Sequence, residues 1–252
     1  MEEVGKRESQ WPRTVAIFGS SGAIGHALCE VLAERGCETI HAGSRNGAYS
    51  GEDHVAAGVM PFAFDLRDEG SIADAARTMA DDPPDWVVVA TGVLTLPDGT
   101  GPERTLKRLD ANAIAEVLAL NTIGPALIAK HMLPPMPRDR RFVFAALSAR
   151  VGSIADNGLG GWHSYRASKA ALNMLLKNFA IEMRRTHEQG VIVGLHPGTV
   201  DSRLSQPFQS NLPQGQVTDP YDAAAALCDV MAGLRPADSG KVFDYAGEEI
   251  AP

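Results

Sequence analysis

Thr14-Val15-Ala16-Ile17-Phe18-Gly19-Ser20-Ser21-Gly22-Ala23-Ile24-Gly25 is the stretch that decides the fold of this chain. Its first five residues are apolar or β-branched and read as a buried strand, which the glycines at 19, 22 and 25 end in a tight turn. Beyond the turn Ala27, Leu28, Val31 and Leu32 recur at helical spacing. Strand, glycine turn and helix in this order form a cradle for a pyrophosphate. Glycines admit positive φ and close approach of the backbone, and the free N–H groups of a helix start point at the anion. The spacing is a variant of the dinucleotide fingerprint, so Gly19, Ser20, Ser21, Gly22, Ile24 and Gly25 are the expected cofactor loop.

Working outward, strand-like runs alternate with helical ones: Thr39 to Ala42, Met60 to Phe64, Trp86 to Ala90, Phe142 to Leu147, Val191 to His196 and Val242 to Tyr245. Such alternation predicts an α/β protein, a Rossmann-type doubly wound parallel sheet with helices on both faces. No linker or repeat interrupts residues 13–252, which read as one domain, and the charged, aperiodic residues 1–12 read as a flexible extension. At 252 residues, 44% hydrophobic and 21% charged, the chain has the length for a large core.

A formal charge of −8 with no basic stretch argues against a nucleic-acid surface. No apolar run is read as long enough to cross a bilayer and no charged-then-apolar leader opens the chain, so a cytoplasmic protein without a membrane partner is expected. Cys29, Cys37 and Cys228 are odd in number and lack metal spacing; they read as reduced packing or surface residues. The histidines are scattered, and no metal is expected. A serine hydrolase is set aside because Gly-x-Ser-x-Gly is absent at the strand-to-helix turn.

Tyr165 and Lys169 stand four apart in Ser164-Tyr165-Arg166-Ala167-Ser168-Lys169 at the start of a long apolar-periodic segment. On a helix this spacing stacks a phenol and an ammonium on one face. A phenol titrates near pH 10, so proton exchange near neutrality calls for a pKa lowered by about 3 units, or about 4 kcal/mol. A fixed cation at about 5 Å and an effective dielectric of about 20 supplies roughly 3 kcal/mol of that. By itself the pair also describes an ordinary amphipathic surface. The second strand runs into Gly43-Ser44-Arg45-Asn46, where an NAD-selective site would carry an acidic residue for the ribose. A hydroxyl and a guanidinium at Ser44 and Arg45 suit a 2′-phosphate, so NADP(H) is expected ahead of NAD(H); a solvated loop arginine is the plain alternative.

With Gly19 to Gly25 near the start, Asn121 in a middle helix and Tyr165/Lys169 later, the chain resembles the short-chain dehydrogenase/reductase family over nearly its whole length after about residue 12. Ser164 to Lys169, Gly152-Ser153-Ile154-Ala155-Asp156-Asn157 and His196-Pro197-Gly198-Thr199-Val200-Asp201 resemble most the subgroup of the C-factor signalling protein and the sniffer-type carbonyl reductases. The resemblance implies that Tyr165 is the proton donor. Lys169 would lower its pKa and bind the nicotinamide ribose, and Asn121 would keep a water beside the lysine. Asp65 and Leu66 are implied at the adenine. Ala90, Thr91 and Gly92 take the place of an Asn-Ala-Gly motif, with Thr91 expected to supply bracing that Ala90 cannot. Pro197, Gly198, Thr199 and Val200 are implied at the nicotinamide carboxamide.

The family's substrate-orienting serine is replaced by Ala149. Ser148 is preferred as its substitute, with Ser153, or a site that works without a serine, as alternatives. The implied activity is hydride transfer between a nicotinamide and a small-molecule carbonyl or alcohol. The rival reading is a dinucleotide-binding signalling or regulatory protein with little turnover. Residues 94–110, 152–163 and 202–217 are expected to build the substrate pocket. Leu94, Leu96, Trp162, Leu204 and Phe208 suggest either an apolar ligand or loops anchored to the core. The family's assembly helices, around Asn112 to Met132 and Ser164 to Arg185, leave two readings open: a homo-oligomer, dimer or tetramer, or apolar faces that serve the core.

Overall fold

All five side chains of Thr14–Phe18 (β1) are buried, and the strand lies inside a seven-stranded parallel sheet. The chain is described by a computed structural model over residues 11–50, 58–211, 213 and 215–252. The other strands of the sheet are β2 (Thr39–Ser44), β3 (Val59–Ala63), β4 (Trp86–Val89), β5 (Phe142–Leu147), β6 (Gly190–His196) and, after a separate two-stranded ribbon of β7 (Thr199–Val200) and β8 (Val217–Thr218), β9 (Val242–Asp244). Their order is β3-β2-β1-β4-β5-β6-β9, all parallel. The doubly wound parallel sheet expected from the sequence is present.

Strand alternation divides the interior into two cores. Val15, Ile17, Val143, Ala145, Val191 and Val193 face α1 (Ala23–Glu34) and α6 (Pro220–Gly233). Ala16, Phe18, Val87, Val89, Phe144 and Ile192 face the other layer, built by α2 (Glu69–Thr78), α4 (Gly124–Met132) and α5 (His163–Met183). Local chemistry sets the helix starts. Asp68 caps α2 through the Gly70 amide, Asp110 caps α3 (Ala111–Leu118) through the Ala113 amide, and Asp219 precedes Pro220 and caps α6 through the Tyr221 amide.

The structure adjusts two sequence expectations. Trp11 packs on Trp86 with ring centroids 6.0 Å apart and carries the Arg35 guanidinium 4.4 Å from its ring, and Pro12 is buried, so the last two residues of the expected extension belong to the packed body. Residues 1–10 lie outside the described residues. Residues 111–132 form a 22-residue helical run that contains an 18-residue window of mean hydropathy 1.4, long and apolar enough to span a membrane, contrary to the reading of the sequence. The run is composite: α3 and α4 are joined by a π turn, Ala119–Ile123, and Ile128, Ala129 and Met132 pack into the core beneath α2 and α5.

Because the sheet is parallel, every strand delivers its following loop to the same edge. The order reverses between β1 and β4, which opens a crevice there. The loops after β1 to β6 carry the residues singled out in the sequence.

Candidate active site

The loop after β1 can be built only with glycine at two points. Gly19 has φ +108°, and a Cβ on it would lie 2.9 Å from Thr91 Cγ2 and 3.0 Å from the Ala90 carbonyl carbon. A Cβ on Gly25 would sit 2.1 Å from the Gly19 carbonyl oxygen. Ser20 is buried and donates its hydroxyl to the Gly43 carbonyl at 3.0 Å, which ties the loop to β2, while Ser21 and Gly22 form its exposed rim. Ile24 packs on the core behind them. Helix α1 has no side-chain cap and no acidic residue in its first turn, so its N–H groups and dipole remain available to an anion.

Thr91 does not brace the central strands as expected. Its Oγ1 is buried with no hydrogen-bond partner, and its Cγ2 lies against Gly19. A buried hydroxyl left unpaired costs free energy that a polar ligand group would recover. The glycine cradle, the uncapped helix start and this orphaned hydroxyl together fit a dinucleotide.

Farther along the edge, Arg45 stands exposed at the end of β2. Ser44, expected to present its hydroxyl to a phosphate, instead uses it within its own turn: Ser44 Oγ lies 2.9 Å from both Asn46 Oδ1 and the Ala48 carbonyl and accepts the Ala48 amide at 3.1 Å. Asp65 follows β3 and accepts the Arg67 amide at 2.9 Å. Leu66 lies against Gly124, where a Cβ would come within 2.7 Å of Leu66 Cδ2.

Tyr165 and Lys169 occupy one face in the first turns of α5, 8% and 3% exposed. Lys169 Nζ donates to the Leu147 carbonyl at 2.7 Å and lies 5.8 Å from the centre of the Tyr165 ring. Burial pushes the phenol up to about 12 and the ammonium down to about 8. The sequence reading expected the lysine to lower the phenol. In the folded chain desolvation dominates both groups, because neither faces water and the ammonium is engaged with a backbone oxygen.

Asn121 is buried in the π turn between α3 and α4. Its Oδ1 accepts the Val93 amide (2.7 Å), and its Nδ2 donates to the Val93 carbonyl (2.9 Å) and to Ser168 Oγ (3.1 Å). Thr122 Oγ1 donates to the Ser168 carbonyl (2.8 Å), and Ser168 Oγ to the Tyr165 carbonyl (2.7 Å). The π turn is thus tied to the one turn of α5 that bears both Tyr165 and Lys169. A Cβ on Gly92 would lie 3.3 Å from Asn121 Oδ1 and 3.4 Å from Lys169 Nζ, so Gly92, Asn121 and Lys169 converge on one point.

The structure does not bring Ser148 to Tyr165. Ser148 Oγ donates to Asn173 Oδ1 at 2.6 Å, two turns further along α5. Ala149 packs on Tyr165 and Leu94, with Val151, Trp162 and Phe208 around them. Ser153 Oγ accepts the Asp156 amide at 3.0 Å. Trp162 stands edge-on to Tyr165 (centroids 6.2 Å apart) and 5.1 Å from Phe208. The three segments expected to build the pocket therefore meet at Tyr165, through Leu94, Trp162 and Phe208. After β6, Gly198 has φ +77° with Tyr245 against it, and Thr199 and Val200 form β7 beyond Pro197.

Sequence reasoning missed Thr122, Ser168 and Glu103. The first two clamp helices together through contacts that have no local signature. Glu103, from the loop before α3, is 7% exposed and holds the start of α5.

A parallel sheet with its crevice at the strand reversal, a glycine cradle after β1 and a Tyr/Lys turn beside the ends of β4 and β5 define a dinucleotide-dependent oxidoreductase. Residues 13–213 match the short chain dehydrogenase family, and the chain belongs to it. The chain is 30% identical over 232 residues, 90% of its length and 94% of the relative's, to 1-hydroxy-2-glutathionyl-2-methyl-3-butene dehydrogenase of Rhodococcus sp. (strain AD45). It is 34% identical over 142 residues, 56% of its length and 80% of the relative's, to the C-signal protein of Myxococcus xanthus. Among solved structures, the carbonyl reductase Sniffer of D. melanogaster superposes with a TM-score of 0.80 at 18% identity, covering 95% of this chain and 99% of that one. An NADPH-bound carbonyl reductase from chicken fatty liver gives the same TM-score and coverage at 23% identity. The likeness to the C-factor protein expected from the motifs is supported by the C-signal relative, and the carbonyl reductases share the fold.

Proposed function

We propose that the protein is a carbonyl reductase that uses NADPH and acts on apolar aldehydes or ketones, with Tyr165 as its proton donor. The observation that carries this reading is the buried Tyr165/Lys169 turn, cross-tied to Asn121 and lined on its open side by Leu94, Ala149, Trp162 and Phe208. Gly19, Ser21, Gly22, Gly25 and Thr91 would hold the pyrophosphate and the adjoining ribose, Arg45 a 2′-phosphate, Asp65 and Leu66 the adenine, and Gly92 and residues 197–200 the nicotinamide end. When bound, the dinucleotide supplies the hydride that reaches the carbonyl carbon.

The chain's own residues do the rest. With its pKa raised to about 12, Tyr165 is fully protonated at neutral pH, the state from which a phenol gives its proton to the developing alkoxide oxygen. Lys169, at about 8, is still mostly charged at pH 7 and stabilises the phenolate left behind. Asn121 fixes Val93 and Ser168 around this pair and so holds both side chains in place. The apolar lining excludes water and selects substrates with an aromatic or aliphatic group beside the carbonyl. Burial of a neutral phenol favours reduction over alcohol oxidation, which would start from the phenolate.

Tyr165→Phe tests this directly: turnover of aldehydes and ketones is expected to fall about 100-fold or more, with NADPH binding by fluorescence retained. Undiminished turnover would sink the mechanism. Arg45→Asp is expected to weaken NADPH binding about tenfold or more while leaving NADH within about threefold. Equal effects on both cofactors in titration would remove Arg45 from the phosphate site. Ala149 in the serine position favours a second reading, a dinucleotide-binding regulator. NADPH binding without turnover across a carbonyl panel would select it.

A further inference from the structure

The helix that carries Tyr165 and Lys169 receives no side-chain cap from the residue at its own start. Gly160, Gly161 and Trp162 lead into α5 with φ of +65°, +66° and +50°, and Trp162, at the cap position, contributes no side-chain hydrogen bond. A helix start leaves its first N–H groups without intrahelical partners. Here the acceptor arrives from 61 residues earlier. Glu103 Oε2 accepts the Ser164 amide at 3.1 Å, Glu103 Oε1 accepts the Ser164 hydroxyl, and the Glu103 carbonyl accepts the Trp162 amide at 2.5 Å. The carboxylate is buried, so these donors take the place of water, and it faces the positive end of the helix dipole. Burial pushes its carboxyl up, but the hydrogen bonds from Ser164 outweigh this and hold it below its ordinary value.

The segment that supplies Glu103 is fixed at its other end as well, since Val93 exchanges two hydrogen bonds with the Asn121 side chain. Between these ties Leu94 packs on Tyr165, and Leu96 lines a small cavity with Glu103, Ser164 and Tyr165. Residues 93–103 therefore form a strap that joins the π turn to the first turn of α5 across the substrate side of Tyr165.

We propose that Glu103 is a positioning residue: its carboxylate caps α5 from a distant segment of the same chain and locks the 93–103 strap onto it, which fixes the Tyr165 phenol against the substrate carbonyl. This rests on the reading of Tyr165 as proton donor. Tyr165 directly follows the capped residue, so loss of the cap loosens the turn that aims the phenol. The glycine cradle lies on a different element and keeps its shape. The effect falls on kcat and leaves dinucleotide affinity in place.

Glu103→Ala, Glu103→Gln and Glu103→Asp are compared with wild type in NADPH oxidation by aromatic aldehydes and ketones, in NADPH fluorescence titration, and in hydrogen exchange of residues 160–168. Glu103→Ala is expected to lower kcat about tenfold or more, with NADPH affinity within about threefold of wild type and faster exchange in that peptide. Glu103→Gln keeps an acceptor for the Ser164 amide and is expected to recover most of the turnover. Wild-type kcat in Glu103→Ala, or a parallel loss of kcat and NADPH affinity, overturns the proposal. If Glu103→Ala does not fold, Glu103→Asp decides, since its carboxylate is one methylene short of the Ser164 amide: lower kcat at unchanged NADPH affinity supports the cap, and wild-type kcat overturns it. Tyr165→Phe assayed alongside keeps the two readings apart. If it is inactive while Glu103→Ala is as fast as wild type, only the cap fails; if Tyr165→Phe is itself fully active, the proton-donor reading fails. The exchange measurement needs no turnover, and unchanged exchange in a folded Glu103→Ala overturns the cap whatever the activity.

Discussion

Ser148 and Ala149 are adjacent in the chain and serve different partners. The pleat turns the Ser148 hydroxyl onto Asn173, whereas the Ala149 methyl meets Tyr165 and Leu94. A serine one position early in the extended backbone after β5 cannot take the place of one in register, because successive side chains leave on opposite sides. Ser148→Ala is accordingly expected to leave carbonyl turnover within about threefold while lowering the unfolding free energy by about 1 kcal/mol, the worth of one buried hydrogen bond. Steady-state assays showing a much larger loss would place Ser148 back at the substrate. Tyr165 and Lys169 were legible from their spacing. The direction of their pKa shifts was not, because burial of both groups is a property of the assembled sheet and helices. Glu103 was illegible for a related reason: a single carboxylate after Gly101-Pro102 carries no pattern, and its partner Ser164 is brought to it only by the fold.

At the level of elements, the loop after β1 and the π turn before α4 show opposite degrees of legibility. Apolar runs marked every strand of the main sheet, with ends displaced by at most two residues from Thr39–Ser44, Val59–Ala63 and the rest. The glycine positions were readable too, since a strand that must turn sharply into a helix leaves no room for side chains. Gly25→Ala is expected to cost about 3 kcal/mol of stability, because its Cβ would lie 2.1 Å from the Gly19 oxygen, and to abolish NADPH binding as the cradle opens. Denaturation and fluorescence titration would check both, and wild-type affinity would contradict the cradle assignment. The π turn left no trace in the sequence. Its cause is tertiary: Asn121 is held by Val93 and Ser168, and Thr122 by Ser168, so the helix carries an extra residue where it is clamped.

Taken as one molecule, the protein buries all three thiols and the Tyr165 phenol in or beside its cores. Burial pushes Cys29 and Cys228 up to about 12, Cys37 to about 11 and Tyr165 to about 12. Each keeps its proton in the folded chain at a pH where the unfolded chain has released it. The unfolded state therefore binds fewer protons above about pH 9, and stability that is fully present below that point falls as pH rises, by up to about 1.4 kcal/mol per unit for each group. Lys169, lowered to about 8, acts in the opposite sense but is one group against three thiols. Tm is expected to drop steeply between pH 9 and about 11, and Cys228→Ala to flatten the drop; a Tm that holds level to pH 11 would contradict this. The π turn reaches across the same scale. An α-helix advances by about 100° per residue, so removing one residue from Ala119–Ile123 would rotate Ile128, Ala129 and Met132 off the sheet by roughly that angle. The insertion works as a phase offset between two gears: a lineage that regularised this helix would have to re-cut the apolar teeth of everything downstream, so the irregularity protects itself against being edited away.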